Sequence, residues 1–194
     1  MKTKDAVGKV ALAGAAVTVG AAGAANADPA DFAGLYAGLG FAAFNGSHGY
    51  EDYSIYATPP TIGVFGGYNH VMGNMVVGIE LAFHANAINA PDDYYEYGLE
   101  RLADLKLRAG PTVNNLWIYG ILGTSSAFQC SYQCSDTGYS TDVTGLAYGI
   151  GMETNVTDKF FVGAEILARD FEEEDKIGEY GPTMSLTIRG GFRF

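Results

Sequence analysis

The C-terminal stretch MSLTIRGGFRF, residues 184–194, shows the pattern that decides the fold. Apolar and polar side chains alternate along it with a period of two, the side-chain period of a β-strand. One face carries Met184, Leu186, Ile188, Gly190, Phe192 and Phe194, and the other carries Ser185, Thr187, Arg189, Gly191 and Arg193. The same division recurs from Met75 to His84, where Glu80 lies opposite an unbroken apolar stripe. Each stretch therefore predicts a strand with one apolar face and one polar face.

Eight segments of this kind follow one another along the chain. They are Phe32–Phe44, Thr61–His70, Met75–Ala85, Tyr95–Gly110, Leu116–Phe128, Asp142–Thr154, Phe160–Phe171 and Thr183–Phe194. Short turns at 71–74, 111–115 and 155–159 alternate with longer connections at 45–60, 86–94, 129–141 and 172–182. The short turns are rich in Gly, Pro, Asn and Asp, which supply turn geometry. An even number of strands joined in this way predicts an eight-stranded antiparallel up-and-down β-barrel, which has no open edge.

The first 27 residues differ in composition from the rest of the chain. Lysines precede an uncharged run rich in Ala, Val and Gly, and the small residues Ala25 and Ala27 have the spacing that a signal peptidase recognises. We interpret residues 1–27 as a cleaved secretory signal peptide and residues 28–194 as one barrel domain. An uncleaved anchor or a floppy tail is the alternative, although the apolar run is weakly hydrophobic and too short to span a bilayer.

Composition excludes several classes of protein. Only 17% of the residues are charged, and 48% are hydrophobic, which is typical of a folded chain and not of a disordered one. After the N-terminal region no uncharged apolar run approaches the roughly 20 residues of a membrane helix. The net charge of -11 lacks the basic excess that phosphate neutralisation requires, so nucleic acid is not an expected partner.

The charged residues at mid-strand indicate which face of the barrel meets the membrane. They are few and of both signs, and most share a face with a glycine two positions away, as Glu80 does with Gly78 and Glu153 with Gly151. A soluble barrel would need many charges on its outer face. The lumen of an eight-stranded barrel is narrow, so glycine beside a long charged side chain suits its interior. The pattern therefore predicts a transmembrane barrel, polar inside and apolar outside.

The predicted lumen contains a network of charges that balance in sign. Its members are Glu80, Lys106, Arg108, Glu153, Glu165 and Arg189. Inside a small barrel an unpaired charge is costly, so these side chains are expected to form salt bridges with one another. A structural plug is the favoured interpretation, and a gated or proton-conducting path is the alternative.

Aromatic residues near the short turns suggest a girdle at one membrane interface. The candidates are Tyr68, Trp117, Tyr119, Phe160, Phe192 and Phe194. Ordinary packing between strands is the other explanation for them.

Several short motifs resemble one known family in their order and spacing. They are 34–40 (GLYAGLG), 66–69 (GGYN) through 77–80 (VGIE), 105–110 (LKLRAG), 148–153 (YGIGME) and 163–165 (GAE). Together they resemble the small eight-stranded bacterial outer-membrane barrels: the transmembrane part of OmpA, OmpX-like proteins and alphaproteobacterial surface barrels. The family's Arg-Leu-Gly-Tyr turn entry is altered here, with Ala109 and Pro111 in place of Leu and Tyr.

The resemblance implies a location in the bacterial cell outer membrane. It also implies that the terminal Phe194 is the aromatic residue read by the barrel-assembly machinery. The surrounding partners would be outer-membrane lipid and lipopolysaccharide, and the protein would be a monomer.

Cys130 and Cys134 lie close together in the third long connection. An exported protein with two cysteines at this separation can form a local disulfide, provided that their Cα atoms come within about 7 Å. A metal site is the weaker interpretation, because two thiols without a nearby histidine are an incomplete ligand set.

No catalytic, metal-binding or cofactor-binding residues are predicted. His48, His70 and His84 are scattered, and none has a serine or cysteine beside it on the same strand face. The sequence therefore does not predict an enzyme.

The long connections are rich in acidic residues and tyrosine. They carry Glu51, Asp52, Asp92, Asp93, Glu172, Glu173, Glu174 and Asp175, together with Tyr50, Tyr53, Tyr56, Tyr94 and Tyr132. Tyrosine supplies contact area at low entropic cost, so a host or other surface ligand at these loops is expected. The leading hypothesis is a surface protein with a structural role, an adhesion role, or both. The alternatives are a narrow pore, a barrel enzyme acting on envelope lipid, and a soluble ligand-binding barrel.

Overall fold

The computed structural model describes residues 28–48, 54–57, 60–91, 96–131, 139–171 and 183–194. A short 3₁₀ helix, Pro29–Phe32, precedes the strands. The strands are β1 (Gly34–His48), β2 (Ser54–Ala57), β3 (Thr61–Met72), β4 (Met75–Pro91), β5 (Glu96–Val113), β6 (Leu116–Ser131), β7 (Tyr139–Asn155), β8 (Phe160–Phe171) and β9 (Thr183–Arg193). The predicted signal peptide, residues 1–27, lies outside the described residues and stays a prediction.

The strands from β3 to β9 form a continuous antiparallel meander, and β1 closes it. Leu39 of β1, for example, lies opposite Val64 in β3 and opposite Gly190 in β9. The short β2 pairs with the loop end of β1, within the long connection predicted at 45–60. Closure through β1 confirms the predicted eight-stranded up-and-down barrel.

Strands at the loop end of the barrel are longer than the sequence pattern predicts. The β4–β5 ladder continues to the pair of Pro91 with Glu96, and the β6–β7 ladder continues to the pair of Ser131 with Tyr139. Polar and apolar residues no longer alternate regularly in these extensions. The four strands β4 to β7 therefore continue past the region in which a face must be apolar.

The turns at the opposite end are tight. Gly73 (φ 67°) and Asn114 (φ 54°) have positive φ values in the β3–β4 and β5–β6 turns, a conformation that glycine and asparagine tolerate. Strand β5 runs through Pro111, where the sequence predicts a turn. The β5–β6 ladder is interrupted at Gly110 and Pro111, where Pro111 has no N–H to donate.

Large hydrophobic side chains cover the outer face of the barrel. Among them are Leu39, Phe41, Ile79, Leu107, Leu122, Ile150 and Ile188. Moving along β5, β7 and β8 from the short turns, the first outward-facing charged residues are Arg101, Asp142 and Asp170. The polar-inside, apolar-outside arrangement of a transmembrane barrel is confirmed, and these three charges mark the upper edge of its apolar band.

Two of the six predicted girdle aromatics lie inside the barrel. Tyr68, Phe160, Phe192 and Phe194 are exposed on the outer face, whereas Trp117 and Tyr119 are buried in the lumen. For Trp117 and Tyr119 the girdle prediction is wrong. Both faces of β6 are apolar at this level, so the alternation of side chains does not show which face points into the lumen. The indole Nε1 of Trp117 donates to the carbonyl oxygen of Gly110 at 3.2 Å, which holds the ring inside.

The N-terminal end of the described chain forms a capped 3₁₀ turn instead of the start of the predicted first strand. The Asp28 carboxylate accepts from the Ala30 N–H at 3.0 Å, and the Asp31 carboxylate accepts from the Asp28 N–H at 2.9 Å. This turn directs Phe32 into the barrel mouth, where it is fully buried. Across the described residues, no helix is long and apolar enough to cross a membrane.

Candidate functional site

All six of the charged side chains assigned to the lumen by sequence are buried in the barrel interior. They are Glu80, Lys106, Arg108, Glu153, Glu165 and Arg189. We call Glu80, Lys106, Arg108, Glu165 and Arg189 the central cluster, because ion pairs link all five. Since inward side chains recur at every second residue, strands β4, β5, β8 and β9 bring these groups together across the lumen.

Lys106 and Arg189 each join the two carboxylates of the central cluster. The Lys106 Nζ lies 2.6 Å from Glu80 Oε1 and 2.7 Å from Glu165 Oε2. The Arg189 guanidinium donates to Glu80 Oε1 at 3.0 Å and also contacts Glu165. Each carboxylate is therefore shared between cations.

Arg108 connects the central cluster to an aromatic wall. Its Nη1 lies 3.2 Å from Glu80 Oε2, while its Nη2 donates to the Tyr36 hydroxyl at 2.5 Å. The guanidinium also lies 4.8 Å from the ring centre of Trp117 and 5.0 Å from that of Tyr119. Cation–π contact and ion pairing thus stabilise the same side chain.

Two tyrosines that the sequence does not single out as lumen residues complete the hydrogen bonding of the acids. The Tyr36 hydroxyl donates to Glu80 Oε2 at 2.8 Å, and the Tyr119 hydroxyl donates to Glu165 Oε1 at 2.9 Å. A buried carboxylate needs such donors in addition to its counter-ion.

Glu153 lies nearer the short turns and has a partner of its own. Its carboxylate pairs with Arg193, and its Oε2 lies 3.5 Å from Arg108 Nη1. The network predicted from sequence does not include Arg193. It lies four residues after Arg189 on the same strand, so the alternation that identifies Arg189 also identifies Arg193.

A second ion pair lies nearer the loops, and we call it the upper pair. Arg169 Nη2 lies 2.6 Å from Asp104 Oδ2, and the Ser125 hydroxyl donates to Asp104 Oδ1 at 2.5 Å. Arg169 also donates to the Ser185 hydroxyl at 2.9 Å. The network predicted from sequence does not include either charge. Asp104 is two residues from Lys106 and Arg169 is four from Glu165, so both lie on the inward face of their strands.

Opposite charges nearly cancel inside the barrel. The buried acids of the described chain are Glu80, Asp104, Glu153 and Glu165, and the buried bases are Lys106, Arg108, Arg169, Arg189 and Arg193. Transfer of an isolated charge out of water is far more costly than transfer of a paired one. The dense pairing therefore allows a polar interior in a barrel this narrow.

Little free space remains between the central cluster and the upper pair. The cavity there has a volume of about 10 Å³, and its lining includes Lys106, Asp104, Arg169 and His84. A cavity needs roughly 10–15 Å³ to hold one water molecule. This cavity holds at most one water molecule, so the described side chains nearly fill the lumen at this level.

Apolar side chains fill the lumen on both sides of the charged layers. At the short-turn end the Phe32 ring lies 6.2 Å from that of Trp117, and its carbonyl accepts hydrogen bonds from Asn69 at 3.0 Å and Arg193 at 2.8 Å. The cluster on the loop side contains Ala42, Phe44, Leu102, Ala127, Val143 and Phe171. Both ends of the charged interior are thus covered.

One glycine of the inner face makes room for the aromatic wall. A Cβ atom built on Gly151 would overlap the Tyr119 ring, so a larger residue here would displace Tyr119. Tyr119 in turn contacts Arg108 and Glu165. The glycine therefore supports the central cluster from the neighbouring strand.

The cysteine prediction falls largely outside the described residues. Cys134 lies in the undescribed segment 132–138, and only the backbone of Cys130 is described, as part of β6. The disulfide stays a prediction. Within the described part of the chain, His, Cys, Asp and Glu form no group that could hold a metal ion.

Comparisons with known proteins agree with this geometry. The family model described as outer membrane protein beta-barrel domain matches residues 13–194. No curated protein matches the sequence at a significant level.

Solved structures with a similar fold come from several bacteria. Ail, the attachment invasion locus protein of Yersinia pestis, is 16% identical, with a TM-score of 0.62 over 84% of this chain and 99% of Ail. A second Ail structure, in complex with the heparin analogue sucrose octasulfate, has a TM-score of 0.56, with 15% identity over 82% of this chain and 96% of Ail. OprG from Pseudomonas aeruginosa is 13% identical (TM-score 0.54; 84% and 96% covered), and Neisserial surface protein A is 12% identical (TM-score 0.51; 82% and 97% covered). At these identities the likeness concerns the fold.

Proposed function

This chain belongs to the outer membrane protein beta-barrel family, and from that premise we propose that it is a non-enzymatic surface protein with a structural and adhesive role. Its lumen serves as a plug, and its partners bind at the loop end. The observation that carries the proposal is the filled interior, in which the cavity between the charged layers measures only about 10 Å³.

The filled interior favours a surface role over a pore. Conduction would require the Lys106 and Arg189 bridges to open together, because each spans Glu80 and Glu165. It would also require movement of Phe32, which covers the short-turn end of the lumen, and of the apolar cluster on the loop side. The narrow-pore alternative therefore needs several coupled rearrangements.

The loop end supplies the surface for a partner. Strands β4 to β7 continue beyond the apolar band, as the pair of Ser131 with Tyr139 shows. The connections at 45–60, 86–94, 129–141 and 172–182 contain ten acidic residues and one lysine. Ail binds a sulfated heparin analogue in its solved complex, whereas this charge pattern favours a basic or neutral ligand.

We also infer how the protein reaches its location. Residues 1–27 would direct export and be removed, Phe194 would serve as the assembly signal, and Cys130 and Cys134 would be oxidised outside the cytoplasm. N-terminal sequencing of the membrane-resident form should find Asp28 first. Retention of Met1 would contradict cleavage.

Two measurements test the proposed role. The purified protein in planar bilayers should show no sustained conductance, because the lumen is filled. A knockout strain should bind less to host or abiotic surfaces than its parent. A copy of the gene in which the acidic residues 172–175 are changed to Gln and Asn should restore envelope integrity to this strain but not its surface binding. Stable channels in the unmodified protein, or unchanged binding in the knockout, would contradict the proposal.

A further inference from the structure

Residues 28–33, which we call the N-terminal turn, cover the short-turn end of the barrel. Side chains of three strands hold them there. Asn69 of β3 and Arg193 of β9 donate to the Phe32 carbonyl oxygen at 3.0 and 2.8 Å. Asn155 of β7 donates to the carbonyl oxygen of the preceding residue at 3.0 Å. Two consecutive carbonyl groups thus tie the start of the described chain to β3, β7 and β9.

The N-terminal turn is connected to the charged interior and to the seam where the barrel closes. Asn69 Oδ1 accepts from Arg108 Nη2 at 3.0 Å, and Arg193 pairs with Glu153. At the seam between β1 and β9, the Phe194 N–H donates to a carbonyl oxygen near the start of β1 at 3.0 Å. If the N-terminal turn left its place, Asn69 and Arg193 would each lose an acceptor at the mouth of the lumen.

The first residue of the N-terminal turn stabilises the turn itself. Pro29 presets the backbone at the first helical position, and the Asp28 carboxylate accepts from the Ala30 N–H at 3.0 Å. The backbone nitrogen of Asp28 donates to Asp31 Oδ2 at 2.9 Å. Asp28 and Asp31 are both exposed at the mouth. The nitrogen that begins the turn therefore lies at ion-pair distance from a carboxylate.

We propose that removal of the signal peptide strengthens the N-terminal turn by converting this hydrogen bond into an ion pair. The inference rests on the processing proposed above. Hydrolysis of the bond between Ala27 and Asp28 consumes one water molecule and leaves a carboxylate on Ala27 and an ammonium group on Asp28. The uncut chain has a neutral amide 2.9 Å from Asp31 Oδ2, whereas the cut chain has a positive charge there. A hydrogen bond between ionised partners is stronger than a neutral one, although exposure to solvent limits the gain.

The test uses protein refolded in detergent with a defined first residue, so its outcome does not depend on how the cell processes the chain. Three forms are compared: one that begins at Asp28, the same form acetylated at its α-nitrogen, and one that begins at Ala27. Acetylation keeps the N–H of Asp28 but removes its charge. Amide hydrogen exchange of residues 30–36, measured by mass spectrometry, should be about two- to fivefold slower in the form that begins at Asp28. Equal or faster exchange in that form would overturn the proposal, whereas N-terminal sequencing tests the cleavage itself.

A substitution and a change of salt identify the ion pair as the cause. Asp31→Asn should make the three forms exchange alike. Asp158→Asn is the matched control, because it removes an exposed carboxylate from the β7–β8 turn at the same end, and it should keep the difference between the forms. At about 1 M salt the ratio of exchange rates should fall toward one, because exposed charges are screened. A difference that persists in Asp31→Asn or at high salt would overturn the ion pair.

Phe32→Ala tests whether the N-terminal turn supports this end of the barrel. The Phe32 ring is fully buried and lies 6.2 Å from the ring of Trp117. Its loss should increase the quenching of Trp117 fluorescence by acrylamide and speed amide exchange at Phe194. Phe44→Ala removes a phenylalanine that is buried near the loop end, and it should change neither quantity. Unchanged quenching and exchange in Phe32→Ala would show that the N-terminal turn does not support this end, which would overturn the proposal.

Discussion

The central cluster and the upper pair are both buried charge assemblies, yet they distribute their contacts differently. In the central cluster Glu80 contacts three cations, Lys106, Arg108 and Arg189. In the upper pair Asp104 has one cation partner among the described residues, Arg169. Contacts in the central cluster are shared among several cations, whereas the contact in the upper pair is exclusive to one acid and one base. The same barrel wall encloses both assemblies.

This difference indicates how each assembly should respond to the loss of one member. A buried charge is costly when it has no partner, and the cost falls if another counter-ion is already in contact. Removing a cation from the cluster leaves every acid with a partner, whereas removing Arg169 leaves Asp104 with the Ser125 hydroxyl. Sharing therefore protects the cluster against single substitutions.

The largest effect is expected from Arg169→Met. It keeps a long side chain but leaves Asp104 unpaired in the interior, so the free energy of unfolding should fall by about 3–5 kcal/mol. Urea titration in detergent, followed through the fluorescence of the single tryptophan, would measure it. Arg101→Met on the exposed outer face is the control, and a similar loss for both would show that burial of the pair is not the cause.

Lys106→Met should have a smaller effect. Glu80 and Glu165 both keep Arg189, and Glu80 also keeps Arg108 at 3.2 Å. The expected loss in the free energy of unfolding is about 1.5–3 kcal/mol, the range for a hydrogen bond to a charged group. The same urea titration applies, and a loss as large as that of Arg169→Met would break the distinction between shared and exclusive pairing.

Replacing both members of the upper pair sharpens the comparison further. In Asp104→Leu with Arg169→Met no charge is left unpaired, so the double variant should be more stable than Arg169→Met alone and within about 1–2 kcal/mol of the unmodified protein. A double-mutant cycle including Asp104→Leu gives the coupling energy directly. Additive effects would mean that the two side chains do not act as a pair.

The smallest effect on the barrel is expected outside the lumen. Reduction of the predicted Cys130–Cys134 disulfide should leave the unfolding midpoint nearly unchanged, because the bond would close a loop of only three intervening residues at the loop end of β6. Thiol labelling before and after reduction reports the bond, and heat-dependent gel mobility reports the fold. Labelling of both cysteines in the unreduced native protein would exclude the disulfide.

The local alternation of side chains was enough to predict the barrel. Because a strand has a period of two whatever its neighbours are, residues 184–194 and 75–84 indicate one lipid face and one interior face without any knowledge of pairing. The same rule assigns Glu80 and Arg189 to the interior. Followed further along each strand, it would also have included Asp104, Arg169 and Arg193.

Tertiary structure decided what alternation does not encode. Both faces of β6 are apolar around Trp117 and Tyr119. The three-dimensional structure is therefore needed to show that these two rings lie in the lumen and contact Arg108. The separation of the shared cluster from the exclusive upper pair, and the pairing of Glu153 with Arg193, likewise depend on contacts across the lumen. Those contacts are set by the register and tilt of eight strands that close on themselves. The sequence of any one strand therefore determines which of its residues face inward, while the closed sheet determines which residues they meet.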